Sequence, residues 1–281
     1  MGDIQFVNFK EKRVLFIPDS CDKFSEYFDS NKDAILIIDF YELVNFPNFN
    51  NFDCLIDAKI EKLLIVGSKR QEYDFSRLLK MPELIFLDNR GVDMEYDFVN
   101  FPNLEILRYS WNKKCKNIST LKKVKELSLW KYRSKSDDLE EFASMNSIME
   151  IGFIQSDIKS INGIEKMINL KELVLVSNKN LSFNNFDFIM PNVESLYIED
   201  CKKIDKSFVR IFPNLKRVEF INHSSIDSLQ NILENLKSLE YLNLGETTVL
   251  ETDNRYWKNY NYVKINFIDQ KHYILKRKDF E

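Results

Sequence analysis

The sequence predicts an α/β solenoid, in which short strands alternate with return segments and stack into a curved array of coils. Apolar residues recur at a period of about two dozen residues, which is the spacing of a repeat protein. Four of the 6 prolines occupy one position of that period. With only 6 Gly and 2 His, the chain is poorly equipped for glycine-rich phosphate loops and for histidine-based catalytic or metal sites.

Composition places the chain among folded proteins with a mildly acidic surface. Hydrophobic residues make up 44% and charged residues 30% of the 281 residues, and the formal net charge is -4. Such a chain can bury a sizeable core. A general nucleic-acid binder would need a basic surface to neutralise phosphates. We therefore expect no nucleic-acid partner.

No segment predicts export or membrane insertion. The opening MGDIQFVNFKEKRVLF carries charges where a secretory signal needs an apolar run, and no apolar stretch approaches the roughly 18 residues that span a bilayer. The 4 Cys show no CxxC pair, so reduced thiols are expected. The sequence thus predicts a cytoplasmic protein with no membrane contact.

Residues 1–34 are predicted to form an N-terminal cap, because the apolar end of a solenoid must be shielded from water. Within them, RVLFI is interpreted as a short strand. The following SCDKFSEYFDSN predicts a helix with Ser20 as its N-cap. Phe24, Tyr27 and Phe28 would face inward from that helix.

Residues 35–259 carry the repeats. LKELVLVSNKNL begins at Leu170, and VESLYIEDCKKI at Val193 and LEYLNLGETTVL at Leu239 repeat its apolar spacing. This pattern resembles the leucine-rich repeat, L-x-x-L-x-L-x-x-N/C-x-L. The resemblance implies a horseshoe with a parallel β-sheet on its concave face and short helices or 3₁₀ turns on its convex face. The predicted repeat starts are Ile35, Ile60, Leu84, Leu104, Val124, Ile148, Leu170, Val193, Leu215, Leu239 and Tyr260.

Proline placement supports the same register. The prolines two residues before a repeat start are Pro82, Pro102, Pro191 and Pro213. A proline there ends the return segment and favours an extended entry into the strand without removing a ladder hydrogen bond. The third and fifth residues after each start, such as Leu173 and Leu175, are predicted to point inward.

The eighth residue after each start is predicted to hydrogen-bond to backbone groups buried between coils. This column holds Ser68, Asn112, Ser156, Asn178, Cys201, His223 and Thr247. Cys201 and His223 could also be interpreted as a ligand or nucleophile pair. Their matching places in the column favour the structural role.

Residues 260–281 are predicted to supply the last repeat and a C-terminal cap. The segment HYILKRKDFE alternates Tyr273 and Leu275 with polar residues, which is typical of an edge strand. The basic residues 276–278 would discourage further strand pairing. No linker-like stretch divides the chain, so one solenoid is expected.

Side chains at the second, fourth and sixth positions after each start are predicted to face the open, concave side. Glu126, Glu150 and Glu172 would occupy one column on three consecutive strands, where like charges repel. Large aromatic side chains lie nearby, and aromatic anchors beside concentrated acid are typical of a surface that binds a basic partner. The alternative interpretation is a solvated face, on which the charges point outward and the aromatic rings partly shield the sheet. The candidate partner-binding residues are Arg108, Trp111, Glu126, Trp130, Glu150, Glu172, Tyr197, Glu199, Asp200, Glu219 and Tyr241.

An apolar set at the N-terminal end of this face has two interpretations. Its members are Ile37, Tyr41, Leu64, Val66 and Phe86. It could form a second contact with a partner, or it could pack under the cap.

These observations favour a non-enzymatic scaffold that recognises a protein with a basic surface. No Ser/His/Asp order, metal-ligand spacing or cofactor motif is present, so no metal or cofactor is expected. Glu126 and Glu150 could form an acid–base pair, but an open sheet offers little desolvation to separate their pKa values. Two more specific hypotheses stay open: an immunity protein that neutralises a basic toxin by direct binding, and a secreted bacterial effector that binds host proteins.

Overall fold

The computed structural model describes residues 4–8, 12–68, 73–133, 135–184 and 186–280. The chain divides into two compact units, residues 1–130 and 131–281. Both are built from coils in which a strand, a turn and a return segment follow one another. None of the helices within the described residues is long and apolar enough to cross a bilayer.

The first unit opens with a hairpin and a helix. These elements are β1 (Gln5–Asn8), β2 (Arg13–Leu15) and α1 (Cys21–Ser30). The two strands pair antiparallel. The helix buries Phe24 and Phe28, which lie four residues apart on one helical face, and half-buries Tyr27. The strand and the helix predicted for the N-terminal cap are confirmed.

The rest of the first unit is a parallel sheet. Its strands are β3 (Ile35–Asp39), β4 (Lys62–Val66), β5 (Phe86–Asn89), β6 (Ile106–Ser110) and β7 (Glu126–Trp130). β2 pairs with β3, and each later strand pairs with the next. The register aligns Leu63, Leu87, Leu107 and Leu127, each 0% exposed. The predicted inward leucine column therefore forms the core.

The second unit continues the same construction. Its strands are β8 (Glu150–Ile154), β9 (Glu172–Val176), β10 (Ser195–Glu199), β11 (Arg217–Ile221), β12 (Ser225–Ile226), β13 (Tyr241–Asn243), β14 (Thr248–Val249) and β15 (Lys264–Asn266). The order β8-β9-β10-β11-β13-β15 forms one parallel sheet, and β12 and β14 form a separate parallel pair. Leu173, Leu196, Val218 and Leu242 share the buried column.

The return segments are short helical turns, as predicted for the convex layer. The α-helices are α2 (Phe208–Ile211) and α3 (Gln230–Asn235). The 3₁₀ turns are Pro18–Ser20, Leu43–Asn45, Asp53–Leu55, Phe98–Asn100, Ile118–Thr120, Glu140–Phe142, Ile164–Lys166, Arg255–Tyr260 and Arg277–Asp279. Apolar residues of these turns, such as Phe98, Phe142 and Ile164, are fully buried.

The predicted repeat starts at Ile35 and Tyr260 are each wrong by two residues. Leu36 pairs with Leu63, which places the first start at Asp33. Tyr241 pairs with Lys264, which places the last start at Tyr262. Asp33 is exposed and Tyr262 is 54% exposed, so the apolar residue that marks an internal repeat start is absent at both ends.

A ladder of buried polar groups runs through the second unit. The Ser156 N–H donates to Asn178 Oδ1 (2.9 Å), the Cys201 N–H to Asn222 Oδ1 (2.6 Å) and the Asn222 N–H to Thr247 Oγ1 (2.9 Å). The Asn178 N–H points to Cys201 Sγ (3.4 Å). The predicted column is confirmed at Ser156, Asn178, Cys201 and Thr247.

The predicted column is wrong at Ser68, Asn112 and His223. Asn222 takes the buried slot one residue early, and His223 lies exposed with a left-handed φ of 44°. Ser68 is exposed and Asn112 is only half-buried. Asn89 of the first unit is also polar and 0% exposed, but it lies within β5 as the register partner of Ile65 and Tyr109, in the inward-facing column and not in the predicted polar one.

A second ladder, absent from the sequence analysis, lies where the chain enters the strands. Asn103 Nδ2 donates to the Pro82 carbonyl (2.9 Å), and Asn214 Nδ2 donates to the Pro191 carbonyl (3.0 Å) of the preceding coil. Asn169 and Asn192 make equivalent bonds. The Pro-Asn pair that recurs in FPNL and MPNV is the sequence feature from which this asparagine ladder could have been predicted.

The predicted C-terminal edge strand is wrong. Within the described residues 271–280 there is no strand, and Arg277–Asp279 forms a 3₁₀ turn. The side-chain amide of Asn254 binds this segment through two hydrogen bonds of 2.8 Å. Its Nδ2 donates to the Leu275 carbonyl and its Oδ1 accepts from the Leu275 N–H. Tyr273 packs edge-on against Trp257 (5.6 Å between centroids). These contacts hold the tail against the return layer rather than the sheet.

The expectation of four reduced thiols is also wrong. Cys21 of α1 and Cys54 of the Asp53–Leu55 turn form a disulfide with a Cα–Cα distance of 5.6 Å. Cys115 and Cys201 are free and buried. A pair separated by 33 residues leaves no local spacing signal, so only the packing of the cap against the first coil brings it together.

Candidate functional site

Each sheet has an open face opposite the buried leucine columns. In the first unit, one apolar member of this face is buried and the others are half-buried or exposed. Ile37 is 6% exposed and Tyr41 is 53% exposed. The Tyr41 ring lies against Gly67, where a Cβ atom would approach it to 3.0 Å. The half-buried members are Leu64, Val66 and Phe86. Apart from Ile37, this apolar set is therefore in contact with water.

Arginines on the open face of the first unit are paired with carboxylates and rings. Arg90 binds Asp88 through two bonds, of 2.8 and 3.0 Å, and its guanidinium lies 5.1 Å from the Trp130 ring centre. Arg108 lies 3.4 Å from Glu126. Positive and negative side chains thus neutralise each other locally.

Trp111 completes the predicted set in this unit. Its backbone N–H donates to the Trp130 carbonyl (2.7 Å), and its side chain is half-buried. Arg108, Trp111, Glu126 and Trp130 therefore all lie at the last two strands of the unit. They present aromatic surface with little net charge.

In the second unit the predicted glutamate column is confirmed for Glu150 and Glu172. The two residues are register partners on β8 and β9, and both are half-buried. Neighbouring strands lie about 4.8 Å apart, so the two carboxylates reinforce one another's negative potential. Glu126 lies in the first unit, where its register partner on β6 is Ile106.

Tyr197 and Glu199 form a fixed pair on β10. The Tyr197 hydroxyl donates to Glu199 Oε2 at 2.5 Å. Burial raises the pKa of Tyr197, and the hydrogen bond to the Glu199 carboxylate raises it further. The hydroxyl therefore stays a donor across the physiological pH range, and the ring is held in place as a flat apolar surface.

Glu219 and Tyr241 are occupied within the chain. Arg217 donates to Glu219 Oε1 from Nε (3.1 Å) and from Nη2 (2.6 Å), and its guanidinium lies 4.2 Å from the Tyr241 ring centre. Asn243 Nδ2 donates to the second Glu219 oxygen (3.0 Å). The hydrogen bond to Glu219 raises the pKa of Arg217. Glu219 thus contributes little negative charge to the face, and the Arg217 guanidinium covers the Tyr241 ring.

His223 lies between two carboxylates at the edge of this face. Its Nε2 is 3.5 Å from Asp200 Oδ1, and its Nδ1 contacts Glu246 Oε2. Asp200 and His223 both adopt left-handed backbone angles (φ 51° and 44°) where the chain leaves β10 and β11. Sequence reasoning missed this cluster because it assigned His223 to the buried ladder.

An apolar centre separates these acidic groups. Ile154 pairs with Val176, Val174 pairs with Tyr197, and Val176 pairs with Glu199 in the strand register. All three aliphatic side chains are half-buried. We call the following set the acidic face: Glu150, Ile154, Glu172, Val174, Val176, Tyr197, Glu199, Asp200 and Glu246.

The chemistry available outside this face is limited. Within the described residues, no group of three or more His, Cys, Asp or Glu side chains could hold a metal ion. Burial raises the pKa of Cys201 to about 11 and also raises the pKa of Cys115, so both thiols stay protonated near neutral pH. Cys201 bonds within the buried ladder, whereas His223 contacts surface carboxylates. The two residues therefore do not act together as the ligand or nucleophile pair considered from the sequence.

Comparison with known proteins supports the fold and leaves the function open. No family model and no curated protein matches the chain. An internalin from Listeria monocytogenes is 15% identical, with a TM-score of 0.52 over 81% of this chain and 73% of that chain. Toll, from the Toll–Spatzle complex of Drosophila, is 12% identical, with a TM-score of 0.57 over 92% of this chain and 44% of that chain. Together with the stacked parallel coils, these likenesses show the leucine-rich-repeat solenoid fold.

Proposed function

We propose that the chain is a non-enzymatic scaffold that binds a partner protein with a basic surface through the acidic face. The observation that carries this proposal is a cluster of carboxylates around an apolar centre on the open side of one sheet. Concentrated carboxylates steer and orient a cationic partner, and an apolar centre supplies the desolvated core of a protein interface. The Toll neighbour is itself described in complex with Spatzle, which supports a protein as the class of partner.

The distribution of charge favours the second unit as the place where a basic surface docks. In the first unit, Arg90 and Arg108 neutralise Asp88 and Glu126. In the second unit, Arg217 pairs with Glu219, and His223 lies beside Asp200 and Glu246. The carboxylates that lie together on the acidic face give it its negative potential, while the aromatic surface of the first unit offers a contact that does not depend on charge.

Binding of a fluorescein-labelled octalysine peptide, followed by fluorescence anisotropy, tests this proposal. We expect Glu150→Lys/Glu172→Lys to weaken binding by about tenfold or more. The matched control, Asp227→Lys/Glu234→Lys, makes the same change in net charge at exposed positions outside the acidic face, and should leave affinity within about twofold. Equal losses in both variants would mean that only total charge matters, and would overturn the proposal.

Two alternative cellular roles are proposed. An immunity protein that occludes the cationic site of a toxin fits the acidic face and a cytoplasmic location. The Cys21–Cys54 disulfide favours the second candidate, a secreted effector, because disulfides persist in oxidising compartments. Alkylation of thiols in intact cells, followed by mass spectrometry of the peptides that contain Cys21 and Cys54, separates the roles: a reduced pair supports the immunity protein, and an oxidised pair supports the effector.

A further inference from the structure

The apolar centre of the acidic face is continuous across three strands. Ile154, Val176 and Glu199 are successive register partners, and Val174 adjoins the Tyr197 ring on the next strand. Strand spacing of about 4.8 Å brings these side chains into contact distance of a common partner. Because Glu199 fixes the Tyr197 hydroxyl (2.5 Å), the ring presents an apolar surface beside the valines.

Carboxylates lie on two sides of this apolar centre. Glu172 precedes Val174 by two residues on β9, whereas Glu199, the last residue of β10, lies level with Val176 and is followed by Asp200. Ser195 is the register partner of Glu172, so Glu199 lies four residues further along the strand direction. At about 3.3 Å per residue, the two acidic sides are roughly 13 Å apart along the strands.

We infer that the acidic face binds a basic amphipathic α-helix of the partner, an inference that rests on the proposed function. A helix with its side chains is about 10–12 Å wide, which matches the separation of the two acidic sides. Its apolar stripe would lie on Val174, Val176 and Tyr197, and lysines or arginines on both flanks of that stripe would reach Glu172 on one side and Asp200 on the other.

An extended peptide fits this arrangement less well. In a strand, successive side chains point to opposite sides, so basic residues that alternate with apolar ones point away from the surface that the apolar residues contact. A helix instead places its basic residues beside its apolar stripe. A helix can therefore contact the apolar centre and the acidic flanks at the same time, whereas an extended peptide of alternating residues cannot.

Two fluorescein-labelled peptides of about 15 residues and identical leucine–lysine composition test the inference. In one, leucines recur three and four residues apart, and in the other leucine and lysine alternate strictly. We expect the helical-period peptide to bind the wild-type chain about tenfold more tightly in anisotropy titrations. Its amide circular dichroism should also gain helical signal on binding.

Variants separate this inference from the proposed function. Val174→Thr/Val176→Thr keeps the shape and charge of the face, and should cut the preference between the peptides to about threefold or less. Glu150→Lys/Glu172→Lys should weaken both peptides. Equal affinity for the two peptides, with binding still lost on charge reversal, overturns the helix inference alone. Peptide binding that survives charge reversal overturns the proposed function with it. Circular dichroism melting of each variant checks that it is folded.

Discussion

At the scale of single residues, Asn178 shows how a polar side chain stabilises stacked coils. Its Oδ1 accepts from the Ser156 N–H (2.9 Å) and its Nδ2 donates to the Phe153 carbonyl (2.8 Å), with the residue fully buried. The repeat pattern identified this position because its neighbours in the column are also short polar residues. It missed Asn222 because a one-residue shift after β11 leaves the apolar spacing unchanged.

Replacing Asn178 by alanine should destabilise the second unit by about 2–4 kcal/mol, because it leaves two buried backbone groups without partners. Urea denaturation followed by circular dichroism measures this loss. Asn180→Ala is the matched control, since Asn180 is exposed and its bonds to Asp157 (3.5 Å) and Lys203 (3.3 Å) are long. A loss for Asn178→Ala no larger than the control's would contradict the ladder's role in stability.

Burial should make both free thiols unreactive in the folded chain. Because desolvation raises the pKa of Cys201 to about 11 and raises the pKa of Cys115, both remain protonated at pH 8, and the thiolate is the reactive form. Iodoacetamide at pH 8 should label neither residue within the time that labels both in urea. Rapid labelling of native Cys201, detected by mass spectrometry, would show that the ladder opens readily.

At the scale of elements, the internal strands and the strand and helix of the N-terminal cap were predictable, whereas the first and last repeat starts and the C-terminal segment were not. Leucine spacing and prolines such as Pro102 fix the entry to internal strands, because each coil packs between two others. At the ends, Asp33 and Tyr262 are exposed, so no apolar signal marks the start. The C-terminal segment alternates like a strand, yet Asn254 binds the Leu275 backbone and draws the segment away from the sheet.

The disulfide should hold helix α1 on the first coil. Cys21 begins α1 and Cys54 lies in a return turn, so reduction removes a covalent link that closes a long loop. We expect Cys21→Ser/Cys54→Ser to cost about 2–4 kcal/mol and to speed hydrogen exchange in residues 21–30, with amides of β9 unchanged. Reductant should reproduce the effect in the wild-type chain and add nothing to the variant. Unchanged exchange would mean that aromatic packing alone holds the helix.

At the scale of the whole molecule, sequence located the charged surface but not its internal pairing. Glu150, Glu172 and Tyr197 lie on the open face as predicted, because strand alternation fixes which side each residue takes. The ion pair between Arg217 and Glu219 and the contact of the Arg217 guanidinium with the Tyr241 ring depend on side-chain rotamers. The order of residue types along the repeats does not determine those rotamers. Counting carboxylates along the sequence therefore overstated the free negative charge of the face.

The negative potential of the acidic face should control how fast a basic helix associates with the chain. Exposed charges are screened within about 8–10 Å at physiological salt, and steering acts before contact is made. We expect the association rate constant of the helical-period peptide to fall about tenfold between roughly 20 and 200 mM salt in stopped-flow anisotropy. The dissociation rate constant should change less, because the apolar centre formed by Val174 and Val176 holds the bound helix.

The variant Glu150→Gln/Glu172→Gln/Glu199→Gln keeps side-chain size but removes charge, so its association rate should depend on salt more weakly than that of the wild-type chain. If instead salt acts mainly on dissociation in both chains, the carboxylates act as contacts in the bound complex and not as a steering field. The first unit offers an internal comparison, since its paired arginines and carboxylates leave little field, and Arg108→Gln should therefore alter the rate far less than the glutamate changes do.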